Sequence, residues 1–192
     1  MPASKDRSSV RMLFIGPPGA GKGTQAGKVA ARLGIPHIST GEMFRDHVAR
    51  GTALGKQVEA IMAAGDYVPD ELTVAMLEER IAQDDAVGGF ILDGFPRTAA
   101  QVVSLDQLLG DEGLQVVVVF RVDEDELTDR LLSRGRADDT EETIRNRFKI
   151  YTEQTQPLID IYEDRSLTVY VDGIGEVEEV TERILSAIGE GS

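Results

Sequence analysis

Residues 16–24 read GPPGAGKGT, held between the apolar run VRMLFI at 10–15 and a helix-like stretch that begins at Lys22 and extends to 33. A glycine-rich turn between a strand and a helix commits the chain to start as an α/β unit. Gly19, Ala20, Gly21 and Gly23 leave room for backbone N–H groups to turn inward around an anion. The helix start adds the positive end of its dipole. Lys22 supplies a mobile charge to outer phosphates, and Thr24 a hydroxyl near a metal ion. The hydroxyl residue follows Gly23 and not the lysine itself, a departure from the commonest spacing.

The alternation continues along the chain. Apolar runs at 10–15, 36–39, 89–93, 115–122 and 167–171 read as strands. The first, third and fourth are nearly all apolar, which fits a parallel sheet covered on both faces. Helical segments fall at 22–33, 41–50, 53–64, 70–83, 98–109, 124–134, 140–165 and 176–188. Pro69 precedes the fourth, with Asp70 as its expected cap. Pro157 is expected to bend the long segment at 140–165. The expected fold is a three-layer α/β P-loop fold with a five-stranded parallel sheet and right-handed crossovers, its ligands outside the carboxyl ends of the strands. Residues 39–68 are a two-helix insertion and 133–139 a short polar joint, both where covers over a nucleotide cleft would sit. Residues 1–9 read as a loose polar tail, and 10–192 as one domain.

Composition narrows the partners. A net charge of −14 argues against nucleic acid and against anionic membranes. The longest apolar stretch, 116–120, is too short to cross a bilayer. The start lacks a hydrophobic export signal, and with no cysteine there is neither a disulfide nor a thiolate metal site, which points to the cytoplasm. No long apolar stripe is evident, so a monomer is expected. Anionic ligands must then be held by a local cationic cluster, and with fifteen Arg against five Lys that cluster is expected to be guanidinium-rich.

Two further groups supply candidates. The third strand ends in ILDGFPR at 91–97. Asp93 at a parallel strand's carboxyl end can hold Mg²⁺ or its waters, Gly94 admits a close approach, and Arg97 points a fork at an anion. Arg130, Arg134, Arg136, Arg145 and Arg147 gather around the joint at 133–139. They form either an anion site or two salt-bridged helices partnered by Asp138, Asp139, Glu141 and Glu142. Thr40 is a helix cap or a site residue, and Arg45 is a second anion candidate. His37 and His47 read as structural.

Together these residues resemble the adenylate kinases, in particular bacterial members with a shortened lid. GPPGAGKGTQ at 16–25 resembles that family's phosphate loop, STGEMFR at 39–45 its AMP-site entry, and DGFPR at 93–97 with Gln101 its monophosphate-kinase signature. The resemblance implies the reaction MgATP + AMP ⇌ 2 ADP. It implies that residues 39–68 cover AMP, with Thr40, Arg45, Asp66, Tyr67, Val68, Gly94, Phe95, Pro96, Arg97 and Gln101 around it. It makes residues 133–139 the lid, with Arg134 on ATP, Arg130 and Gly173 near its base, and Arg136 and Arg147 reaching to the phosphates between the nucleotides. Mg²⁺ would arrive with ATP, and without cysteine no structural zinc is expected. Two rivals stay open: a kinase for another monophosphate such as UMP or CMP, and an ATP-hydrolysing switch that lacks the second anion site.

Overall fold

A computed structural model of the chain describes residues 10–136 and 139–189. The loose tail expected at 1–9, and residues 137 and 138 of the joint, lie outside them. Five strands, β1 (Val10–Ile15), β2 (His37–Ser39), β3 (Gly89–Asp93), β4 (Val116–Arg121) and β5 (Thr168–Asp172), form one parallel sheet in the order β2-β3-β1-β4-β5. Around it lie α1 (Lys22–Leu33), α2 (Thr40–Ala49), α3 (Ala53–Ala64), α4 (Asp70–Ile81), α5 (Ala99–Leu109), α6 (Glu124–Arg134), α7 (Glu141–Ile150), α8 (Leu158–Asp164) and α9 (Val177–Ala187).

The period of two along β1 builds the layers. Met12 and Phe14 face one side and pack with Val29 of α1 and Ile184 of α9. Leu13 and Ile15 face the other and pack with Leu77 of α4, Leu105 of α5 and Leu158 of α8. Each of these four strand residues is at most 2% exposed, which is why β1 reads as an unbroken apolar run from Met12 onward. Burying one such side chain contributes about 1.5–3 kcal/mol. The insertion has its own small core, Phe44, Val58 and Val68 with Met76 of α4. Among the described residues no helix is long and apolar enough to cross a membrane.

Register sets up the functional edge. Asp93 of β3 lies level with Phe14 of β1 and with Ser39 of β2. The phosphate loop, Thr40 and Gly94 therefore leave the sheet side by side at its carboxyl edge.

Three local expectations are corrected. Asp70 does not cap α4; Pro69 occupies the cap position, and Asp70 opens the helix with its carboxylate turned toward α5. Ser39, not Thr40, caps α2, accepting from the Glu42 N–H. The segment at 140–165 is two helices, because Pro157 has no N–H to continue the ladder. The chain answers with a wide turn over Tyr151–Thr155, closed by Gln156 N–H donating to Tyr151 O at 2.8 Å.

Candidate functional site

A cleft of about 450 Å³ opens at this carboxyl edge. Its floor is the glycine-rich loop. Gly19 has φ +84° and Gly21 φ +87°, conformations that favour glycine, and a side chain at Gly19 would strike Leu127 O at 2.8 Å. Gly21 is also the N-terminal cap of α1, so the helix's free N–H groups face the cleft. Gly23 and Thr24 line it, whereas Ala20 is 2% exposed and packs into the core behind the loop.

Lys22 folds back along the loop. Its Nζ donates to Gly16 O at 2.8 Å and Pro17 O at 3.0 Å. Burial lowers its pKa from 10.5 to about 8; Asp93 opposes that shift, and Arg97 and Arg134 reinforce it. Burial pushes the Asp93 carboxyl upward, but His37, Lys22 and Arg97 together hold it below the usual carboxylate range. His37 Nε2 lies 3.4 Å from Asp93 Oδ2, a contact too long for a good hydrogen bond. Thus His37, read as structural, borders the site. Its partner sits on the neighbouring strand, 56 positions along, beyond any local spacing signal.

On the insertion side, Thr40 Oγ1 donates to Gly94 O at 2.9 Å. Gly94 has φ +82°, and a side chain there would press on the Arg97 guanidinium and the Thr40 hydroxyl. Arg97 Nε donates to the same Gly94 O at 2.6 Å, and its guanidinium lies 5.0 Å from the centre of the Tyr67 ring. Tyr67 and Thr155 pair through their hydroxyls at 2.7 Å, and Thr155 donates to Arg97 O at 2.9 Å. Thr155 and Tyr151, both from the wide turn, line the cleft and were not anticipated. Burial, then Tyr67, raises the Tyr151 hydroxyl to about 12, so it stays neutral. Arg45, Asp66, Val68, Pro96 and Gln101 also line the cleft. Phe95 is 0% exposed, its ring in the core.

On the far side stand Arg130, Arg134, Arg136 and Arg147. Arg145 is exposed and points elsewhere. Asp139 gathers the group: Arg134 reaches Oδ1 at 2.6 Å, Arg147 reaches Oδ1 at 2.9 Å, and the Arg136 N–H donates to Oδ2 at 3.2 Å. Burial works against the Asp139 charge, but Arg134, the Arg136 N–H and Arg147 hold its carboxyl below the ordinary range. The two alternatives for these arginines are therefore compatible, since they are salt-bridged and they wall the cleft. Arg130 pairs with Glu126 at 2.6 Å and donates to Gly173 O at 3.3 Å. Gly173 thus sits behind the wall without lining it.

The cleft collects seven cations (Lys22, Arg45, Arg97, Arg130, Arg134, Arg136 and Arg147) against three carboxylates (Glu42, Asp66 and Asp93). In a chain of net charge −14 this is a strong local reversal, suited to a ligand with several phosphates. Among the described residues no group of three or more His, Cys, Asp or Glu is placed to hold a metal ion by itself.

A family model described as adenylate kinase matches residues 14–167. The adenylate kinase of Nocardioides sp. is 55% identical over 185 residues, spanning 93% of this chain and 97% of the relative. That of Thermobifida fusca is 51% identical over 185 residues (93% and 98%), and that of Kocuria rhizophila 50% over 184 residues (93% and 98%).

Proposed function

The chain belongs to the adenylate kinase family and is a nucleoside monophosphate kinase, and from that premise we propose how its own side chains carry out MgATP + AMP ⇌ 2 ADP. The seven cations that wall one cleft in an acidic chain are the observation that carries the reading. ATP and AMP together bring roughly six negative charges near neutral pH. The glycine-rich loop and Lys22 take the ATP phosphates, with Arg134 beside them and Arg130 and Gly173 toward the base. Thr40, Arg45, the stretch from Asp66 to Val68, Gly94 to Arg97 and Gln101 surround AMP. Arg136 and Arg147 reach the phosphates between the two nucleotides. The insertion at 39–68 and the joint at 133–139 are the covers that shut out water.

The acceptor is a phosphate oxygen that is already ionised, so no general base is needed. Catalysis is alignment plus stabilisation of charge as the γ-phosphoryl group passes across. Arg97, braced by Gly94 O and stacked on Tyr67, fixes the acceptor phosphate. Asp139 keeps Arg134 and Arg147 together at the mouth of the cleft.

Asp93 and Thr24 fit a magnesium ion that arrives on ATP. The carboxylate stays ionised beside the loop, and one carboxylate with one hydroxyl suits an ion held through its waters rather than an all-protein cage. When bound, the ion neutralises phosphate charge and orients the polyphosphate.

ADP formation measured side by side with AMP, UMP, CMP and dTMP tests the substrate. AMP is expected to lead by at least ~100-fold in kcat/KM, the scale of leaving one or two buried hydrogen-bonding groups unpaired by the wrong base. Comparable rates with a pyrimidine monophosphate would make this a different monophosphate kinase. ATP consumption without any monophosphate would favour the hydrolytic switch.

Lys22 predicts a pH effect. Its pKa is depressed to about 8, and a bound phosphate favours the ammonium and raises it. ATP binding at pH 9 is therefore expected to take up a proton and to weaken as pH climbs past 8. Calorimetry in buffers of different ionisation enthalpy measures both, and binding at pH 9 without proton uptake contradicts the assignment.

A further inference from the structure

We propose that Asp70 is a positioning residue that fixes which way round the Gln101 amide faces the base of AMP, and that it thereby favours an adenine over a guanine-type base. The inference rests on the reading of this side of the cleft as the AMP site.

Gln101 lines the cleft yet is only 2% exposed, and both ends of its amide are engaged. Oε1 accepts from the Arg97 N–H at 2.7 Å, and Nε2 donates to Asp70 Oδ1 at 2.7 Å. The other Asp70 oxygen accepts from Thr98 Oγ1 at 3.0 Å, and Thr98 caps α5 by accepting from the Gln101 N–H. A carboxylate only accepts and a backbone N–H only donates, so these two neighbours define the amide's orientation without ambiguity. A flipped amide would set oxygen against carboxylate and N–H against N–H.

With those bonds made, Gln101 keeps one N–H on Nε2 and one lone pair on Oε1. Adenine presents the matching pair, an acceptor at N1 beside a donor on N6. Hypoxanthine and guanine present the reverse, an acceptor at O6 beside a donor at N1. Pairing with them requires the flip that Asp70 and Arg97 N–H oppose. Without Asp70 only the Arg97 N–H resists it.

Steady-state kinetics with AMP and with inosine monophosphate, at saturating ATP, test this in three variants. Asp70→Ala is expected to raise KM for AMP by ~10-fold with kcat within ~3-fold, and to cut the AMP preference by ~10-fold, the scale of losing one hydrogen bond to a charged group. KM for ATP serves as the control and stays near its original value, while the melting temperature falls modestly because Gln101 and Thr98 lose their shared acceptor. Asp70→Asn, whose amide can turn either an oxygen or an N–H toward Gln101, restores the preference only in part. Gln101→Leu removes the reader itself and abolishes it. If Asp70→Ala keeps the AMP preference while Gln101→Leu loses it, the role of Asp70 is overturned and the AMP-site reading stands. If Gln101→Leu also keeps it, the AMP-site reading fails. A fall in kcat, ATP affinity and melting temperature together marks Asp70 as merely structural and overturns the proposal.

Discussion

Lys22→Met lowers kcat at least ~100-fold in protein that remains folded, the scale of losing one preorganised charge-stabilising donor. Methionine keeps much of the unbranched stem and removes only the ammonium that the loop carbonyls of Gly16 and Pro17 now hold. The substitution is not expected to cost stability. A buried ammonium whose pKa is depressed to about 8 disfavours the folded state fully below that pH, and the penalty fades only as pH rises from 8 toward 10.5. Methionine removes the penalty, which offsets the two lost hydrogen bonds, so the melting temperature at pH 7 stays level or rises. Single-turnover rates with a thermal melt on the same sample give both readings. A folded variant with a near-normal rate would remove Lys22 from the chemistry.

Arg97→Ala is the second large loss, again at least ~100-fold in kcat/KM for AMP. Arg97 is held from several sides by the protein's own groups: Gly94 O takes its Nε, Tyr67 lies under its guanidinium, and Thr155 and Gln101 fix its backbone. Little of its binding energy is spent on ordering the side chain. Arg97→Lys is expected to recover only a small part, because an ammonium has neither the plane that stacks on Tyr67 nor the fork that grips a phosphate. KM for ATP should move little in either variant. Equal losses for both substrates would place Arg97 on the transferring group and not on the acceptor.

Much of this was legible before any coordinates. The strand–loop–helix at 10–33 is dictated by local residues: a run of apolar side chains, glycines at the positions with positive φ, and a lysine at the start of the helix. The same holds for Asp93, whose strand is buried on both faces and must end at the functional edge. Partnerships between distant segments were not legible. Asp70 reads locally as a cap, because an acidic residue after proline is a good helix start; its hydrogen bonds run instead to residues 28 and 31 positions away. His37 meets Asp93 only through strand pairing. Tyr151 and Thr155 reach the cleft because the ladder widens ahead of Pro157, and a proline marks a disruption without specifying its form.

The helix that follows the joint also grips the insertion. Thr143 Oγ1 donates to Ala63 O at 2.9 Å, and Asn146 Nδ2 reaches Ala64 O at 2.9 Å and Asp66 Oδ1 at 2.8 Å. Swinging the insertion away from α7 gives up all three, at about 1 kcal/mol net apiece. The insertion is thus latched to α7, the helix that leads away from the joint, so any displacement of the insertion spends or saves those three bonds together.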